Sequence, residues 1–341
     1  MTSRILWKVN NQSMATSAPT YTLDAGVVFC SRGGRVTCVD AVSGDVRWQF
    51  QGDSPIECSP VVHPNGSILV GDYSGCIRVF SSEGILLWSL QIQRPIMTSG
   101  CIDDAGNFWI GDDGGWLHQL RSDGQRMYRI RLTDLVTSSP LYHNKNVYLA
   151  DEALRGTNGT VTPLTVESGV SPMAVGLDGT VIVGSWDGVI RAIRTGSIQW
   201  TAELNGQIYG GCSVDEFGNI YVGTRRGEMV ALTSNGKQIW SRTFKDGVYG
   251  TPALSKDGLC FVGCNDRYLY ALDRRSGELI WKERCGRELR SSPLLCPDGT
   301  VVVSCWDYTT YAFRGDGGGH IQKSWSQFQG NPYRQGSSLL L

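Results

Sequence analysis

The chain has 341 residues, 41% of them hydrophobic, and carries 31 Lys and Arg against 32 Asp and Glu, a formal net charge of −1. That balance removes the electrostatic case for nucleic acid or an anionic membrane as partner. No run reaches the roughly 18 apolar residues of a membrane helix, and the 43 glycines and 12 prolines do not form a low-complexity tract.

From the N-terminus, Met1–Trp7 runs straight into a strand-like pattern without the basic head, apolar stretch and cleavage site of a secretory leader, so a soluble cytoplasmic protein is expected. Ile5–Val9 then reads as an extra strand ahead of a repeat that fills the rest of the chain. Its closing aromatic recurs at Trp7, Trp48, Trp88, Tyr128, a degenerate position near Leu164, Trp200, Trp240, Trp281 and Trp325. A second marker, a small residue usually followed by proline, falls at Ala18, Ser59, Ser99, Ser139, Ser171, Gly211, Thr251 and Ser292. Both count eight units of about 40 residues, the period of propeller blades. The predicted fold is all-β: an eight-bladed β-propeller of four-stranded antiparallel blades, one domain over 1–341. The blades run 10–50, 51–90, 91–130, 131–165, 166–202, 203–242, 243–283 and 284–325, with a closing strand at 4–9 and a tail at 326–341.

The second unit sets out the grammar. Strands Cys58–Val62, Ile68–Gly71, Cys76–Phe80 and Ile85–Trp88, here A to D, are separated by Pro64-Asn65-Gly66, Asp72-Tyr73-Ser74-Gly75 and Ser82-Glu83-Gly84. The Asn-Gly or Asp-Gly pair, repeated at Asp178-Gly179, Asp257-Gly258 and Asp298-Gly299, supplies the positive φ of a tight hairpin. The fourth unit departs from this grammar: after Val147–Ala150 it reads Asp151-Glu152-Ala153-Leu154-Arg155-Gly156-Thr157-Asn158-Gly159 and lacks both the C–D turn and the Trp. It is a decayed repeat or a modified blade that opens a site. At the ends, ring closure pairs the N- and C-terminal segments; either Ile5–Val9 or Ile321–Trp325 fits the last outer strand, and the tail beyond lies across the ring.

The 11 cysteines are odd in number and fall in apolar strand patterns such as Cys30, Cys38, Cys76, Cys260 and Cys305, as reduced core residues do. Cys260 and Cys264 share a strand, but the 4 histidines (His63, His118, His143, His320) provide no second half for a metal site. No metal, no cofactor and no Gly-rich phosphate loop, nucleophile elbow or zinc-protease motif is read.

Two units, Tyr268–Trp281 and Val36–Trp48, carry a Gly turn, an alternating strand such as Leu269-Tyr270-Ala271-Leu272-Asp273, a Ser-Gly turn and a Trp. On these residues the chain resembles the pyrroloquinoline-quinone-like (PQQ-like) repeat family over about residues 5–336. The resemblance implies a propeller in which Trp48, Trp88, Trp200, Trp240 and Trp281 dock against the neighbouring blade. Family enzymes hold a quinone and calcium over the ring, and the alcohol dehydrogenases have an adjacent Cys-Cys pair; no two cysteines are adjacent here. Non-catalytic members, including the lipoprotein of the outer-membrane assembly machinery, use the same blades without cofactor; the signal and lipid-attachment cysteine of that lipoprotein are not expected in this protein, whose first residues read as strand.

In a propeller the B–C turns and D–A loops share one face. Here that face carries Asp72-Tyr73, Asp112-Asp113, Asp151-Glu152, Trp186-Asp187, Arg225-Arg226, Asn265-Asp266-Arg267 and Trp306-Asp307-Tyr308 in its turns. Arg94, Tyr209, Tyr249, Arg287, Glu288 and Arg290 lie in its loops. Indoles beside carboxylates and arginines suit a polar ligand or a peptide; plain solvated turn chemistry is the bland alternative. The expected binding residues are Tyr73, Trp186, Asp187, Arg225, Arg226, Arg267, Arg290, Trp306, Asp307 and Tyr308. Asp187, Asp307, Glu288, Tyr209 and Tyr249 are acid–base candidates should the mouth be an active site. The expected function is a monomeric scaffold that binds a partner protein or small polar ligand on this face. A cofactor-independent enzyme is the alternative, and quinone-dependent oxidation ranks last.

Overall fold

A computed structural model describes residues 3–131, 136, 138–151, 153–157, 161–163, 169–322 and 324–337. Its strands form eight antiparallel four-stranded sheets. Seven are built from consecutive strands: blade 1 is Thr20–Tyr21, Gly26–Cys30, Arg35–Asp40 and Val46–Gln51, and blades 2, 3, 5, 6 and 7 repeat that order. Strands B and C are almost wholly buried, whereas the outer D strands alternate between exposed and half-buried residues, as in Leu86–Gln91. The core therefore lies between neighbouring blades, as the pleat of a sheet covered on both faces requires.

Blade 8 (Leu294–Leu295, Thr300–Ser304, Thr309–Arg314) takes its outer strand from the N-terminus: Ile5–Asn10 pairs with Thr309–Arg314, with Trp7 opposite Ala312. This closes the ring and removes a free edge. Of the two expected ways to close it, Ile321–Trp325 is overturned: Trp325 lies in no strand, and its buried ring packs with cores of blades 5 and 6. The period marker misplaced it because a tail tryptophan falls one repeat length after Trp281.

The docking tryptophans explain the repeat. Trp7, Trp48, Trp88, Trp200 and Trp240 each donate an indole N–H to a carbonyl in the next blade's C–D turn, those of Ala41, Ser82, Ser122, Ser234 and Arg274. The glycine there leaves room for the ring: a Cβ on Gly277 would lie 2.6 Å from Trp240. Trp281 is buried without an acceptor for its N–H, since blade 8 has no such turn.

Blade 4 keeps four strands, but its outer one is Val161–Pro163, three residues. Tyr128, in blade 3 at the position of the docking tryptophans, stays exposed. A notch of about 430 Å³ opens between blades 4 and 5, lined by Tyr148, Leu154, Ile193 and Arg194 among others. Glu152, Asn158, Gly159 and Leu164 lie outside the described residues.

The tail seals one end of the axis. Carbonyls of Trp325, Ser326, Pro332, Tyr333, Gln335 and Gly336 accept N–H bonds from a residue at the second position of strand A in six blades: Val214, Leu254, Tyr21, Val62, Ile102 and Tyr142. Leu295 of blade 8 donates to the Gln327 side chain instead. These strand ends adjoin the A–B turns, so the plug lies opposite the loop-rich face.

Candidate functional site

In seven blades the B–C turn is clamped to the preceding D–A loop through the backbone N–H of its second residue. Arg32, Tyr73, Asp113, Trp186, Arg225, Asn265 and Trp306 donate to Met14, Pro55, Pro95, Gly169, Gln207, Gly247 and Glu288, at 2.8–3.1 Å. With the backbone held, these side chains vary freely around one mouth, and that is why unlike residues recur at a like position.

Along blades 5 to 8 they form a continuous arc. Trp186 stacks on Tyr209 (ring centroids 4.8 Å, 25°), which meets Tyr249 at 5.3 Å. The Arg225 guanidinium lies 5.9 Å from the Tyr209 ring, and Arg290 sits between Tyr249 (4.6 Å) and Trp306 (3.9 Å). The hydroxyls of Tyr249 and Tyr209 hold the Arg225 proton more tightly than usual. No carboxylate is within ion-pair distance of Arg225 or Arg290 among the described residues, although the buried Arg290 Nε and Trp306 Nε1 lack any hydrogen-bond partner. Rings of the arc, blade-start residues and Phe328 line a chamber of about 260 Å³ near the axis, and beside it Trp186, Asp187, Asn205, Gln207, Arg225 and Arg226 line a groove of about 600 Å³.

The remaining candidates are committed elsewhere. Asp187 binds the buried Arg191 (2.7 Å) and Ser185; burial raises its pKa, but these bonds outweigh it and leave the carboxyl below its ordinary value. Asp307 accepts from Tyr311, Gly286 N–H and Thr309 N–H, and Glu288 lies 3.4 Å from Arg287. Tyr73 donates to Glu57 (2.7 Å), away from the arc, and Arg226 to Asn205 (3.0 Å). Of the acid–base candidates, Asp187 and Asp307 are thus each hydrogen-bonded to structural partners of their own blade or loop.

Arg267 and Tyr308 are exposed and have φ of +76° and +67°. They occupy the turn position held by Gly34, Gly75, Gly115, Gly188 and Gly227 in other blades, so blades 7 and 8 carry backbone strain at the mouth. Sequence reading named both residues without seeing this substitution, which aligning the turns exposes.

Two structural features escaped sequence reading. The blade-start hydroxyls bridge blades: Ser59, Ser99, Ser139, Thr251 and Ser292 accept the N–H of the equivalent residue one blade back. In blade 5 the hydroxyl slips one place, because Ser171 instead accepts from Gly184 within its own blade. The second is Arg334, fully buried in the plug, where it donates to Phe328, Pro293 and Pro19 carbonyls. All eleven cysteines are free and buried, and burial pushes the Cys212 thiol up to about 12. Among the described residues no cluster of three His, Cys, Asp or Glu could hold a metal ion.

A family model described as outer membrane protein assembly factor BamB matches residues 2–101, 186–267 and 236–339. The outer membrane protein assembly factor BamB of Burkholderia pseudomallei (strain K96243) is 31% identical over 117 residues, 33% of this chain. The match spans only 29% of that relative's length. Among solved structures, BamB from Moraxella catarrhalis superposes with a TM-score of 0.75 at 15% identity, over 92% of this chain and 100% of that one. Saccharomyces cerevisiae Sqt1 gives 0.79 at 14% identity (92% and 99%), and the computationally designed Ika8 protein 0.79 at 16% (91% and 99%). At these identities the structural likeness speaks for the fold.

Proposed function

The chain belongs to the PQQ-repeat propeller family described as outer membrane protein assembly factor BamB, and from that premise we propose that it is a non-catalytic scaffold that docks a partner protein on the mouth of blades 5 to 8. The observation that carries this reading is the arc Trp186–Tyr209–Tyr249–Arg290–Trp306, with Arg225 against it. Half-buried aromatic rings and arginines without carboxylate partners are the residue types that dominate binding energy at protein interfaces. The two cations favour a partner segment with carboxylates. The structural engagement of Asp187 and Asp307 speaks for binding rather than acid–base chemistry, which needs an uncommitted group within reach of substrate.

Affinity capture with wild type and with a Trp186→Ala/Trp306→Ala variant tests the reading. A protein held by wild type and lost by the variant, with unchanged circular dichroism, supports it. Equal capture by both overturns it.

A further inference from the structure

Beneath the rim, the chamber of about 260 Å³ has a wall with its own chemistry. Five of its hydroxyls accept a backbone N–H from the preceding blade: Ala18 N–H to Ser59, Ser59 to Ser99, Ser99 to Ser139, Gly211 to Thr251 and Thr251 to Ser292, at 2.8–3.2 Å. An oxygen that accepts in this way keeps its own proton for another partner. None of the five donates to an acceptor among the described residues, and all five are at most 8% exposed. Two further wall hydroxyls, Thr16 and Thr98, have buried oxygens with no hydrogen-bond partner at all.

The charge on the wall points the same way. Arg290 closes one side, held flat between Tyr249 and Trp306, and its Nε has no acceptor. The wall's one carboxylate, Glu57, is engaged by Arg32 and by the Tyr73 hydroxyl (2.7 Å). The Phe328 ring also lines the chamber. Unused O–H and N–H donors on buried atoms, with one uncompensated cation, are complementary to oxygens that carry negative charge.

We propose that the axial chamber is a binding site for a small oxyanion, the phosphate or carboxylate group of a molecule small enough to enter beneath the aromatic rim. The arc above would cover the bound anion, and Arg290 would serve as its charged contact. The site goes beyond the docking of a partner on the rim and does not require it.

Isothermal titration of the full chain with inorganic phosphate, with succinate and with glycerol tests the site. The expected result is saturable binding of at least one anion and none of the neutral polyol; the anion that binds tells phosphate from carboxylate. Thr16→Val/Thr98→Val preserves shape and removes no protein hydrogen bond, and should weaken anion binding at least tenfold at an unchanged melting temperature. Arg290→Gln should reduce it further. No binding of either anion by wild type, equal binding of glycerol, or binding that Thr16→Val/Thr98→Val leaves unchanged would overturn the proposal. Partner capture by Thr16→Val/Thr98→Val should equal wild type, so the chamber and the rim reading fail separately.

Discussion

Two arginines near the axis, at opposite ends of the ring, have opposite surroundings. Arg334, in the plug, is wholly buried, and its guanidinium donates to three backbone carbonyls from the tail and from blades 1 and 8. Burial pulls its pKa down to about 9, so it still carries its proton at neutral pH. Arg290, at the mouth, is half-buried between two rings with an unused donor. One end of the propeller is thus internally satisfied, and the other is left with donors and aromatic faces to spend on something else. What separates a structural from a binding arginine here is hydrogen-bond satisfaction, which burial alone does not report.

The sharpest way to break this contrast is Arg334→Met, which leaves three buried carbonyls without their donor and should cost about 3–5 kcal/mol in urea unfolding. A loss under about 1 kcal/mol would mean that the plug does not hold the ring. On the same face, Gly277→Ala places a Cβ against Trp240 at a φ of +73° and should cost about 1–3 kcal/mol by the same measurement. At the mouth the sign reverses: Tyr308→Gly relieves a φ of +67° and should stabilise by about 1 kcal/mol, visible as a higher melting temperature. Arg290→Gln should change stability by less than about 1 kcal/mol, since its contacts are two partly exposed cation–π pairs.

The smallest effect expected is with pH. Burial lowers the pKa of His320, beside the plug, and of His143, in blade 4, below the ordinary 6.5. Below pH 6.5 the unfolded chain binds protons that these sites in the folded protein resist. Stability should therefore be full above pH 6.5 and decline as pH falls through it, by less than about 1 kcal/mol down to pH 5.5. His320→Asn should flatten part of that slope in unfolding curves recorded against pH; an unchanged slope would place the titration elsewhere.

Much of the ring is legible from local chemistry. Alternating strands, Asn-Gly and Asp-Gly turns and a tryptophan every 40 residues or so fix blade count and strand order, because hairpin geometry depends on neighbours in sequence. The anomaly of the fourth unit is legible too, and residues 102–185, which contain it, are those the family model leaves unmatched. The candidate site is only half legible. Trp186, Arg225 and Trp306 can be named as departures from the repeat, and Tyr209, Tyr249 and Arg290 as loop residues on the same face, but whether Asp187 and Asp307 are free or engaged cannot, since Arg191 and Tyr311 also read as ordinary strand residues.

The sequence by itself determined eight blades, their turns and the face on which unlike residues gather, through patterns repeated within some 40 residues. Tertiary structure alone decided that Ile5–Asn10 closes the ring, that the tail with Arg334 plugs one end, and that six mouth side chains from four blades meet in one arc. These contacts join segments tens to hundreds of residues apart, and they exist only once blade-to-blade packing has curved the sheets round a common axis.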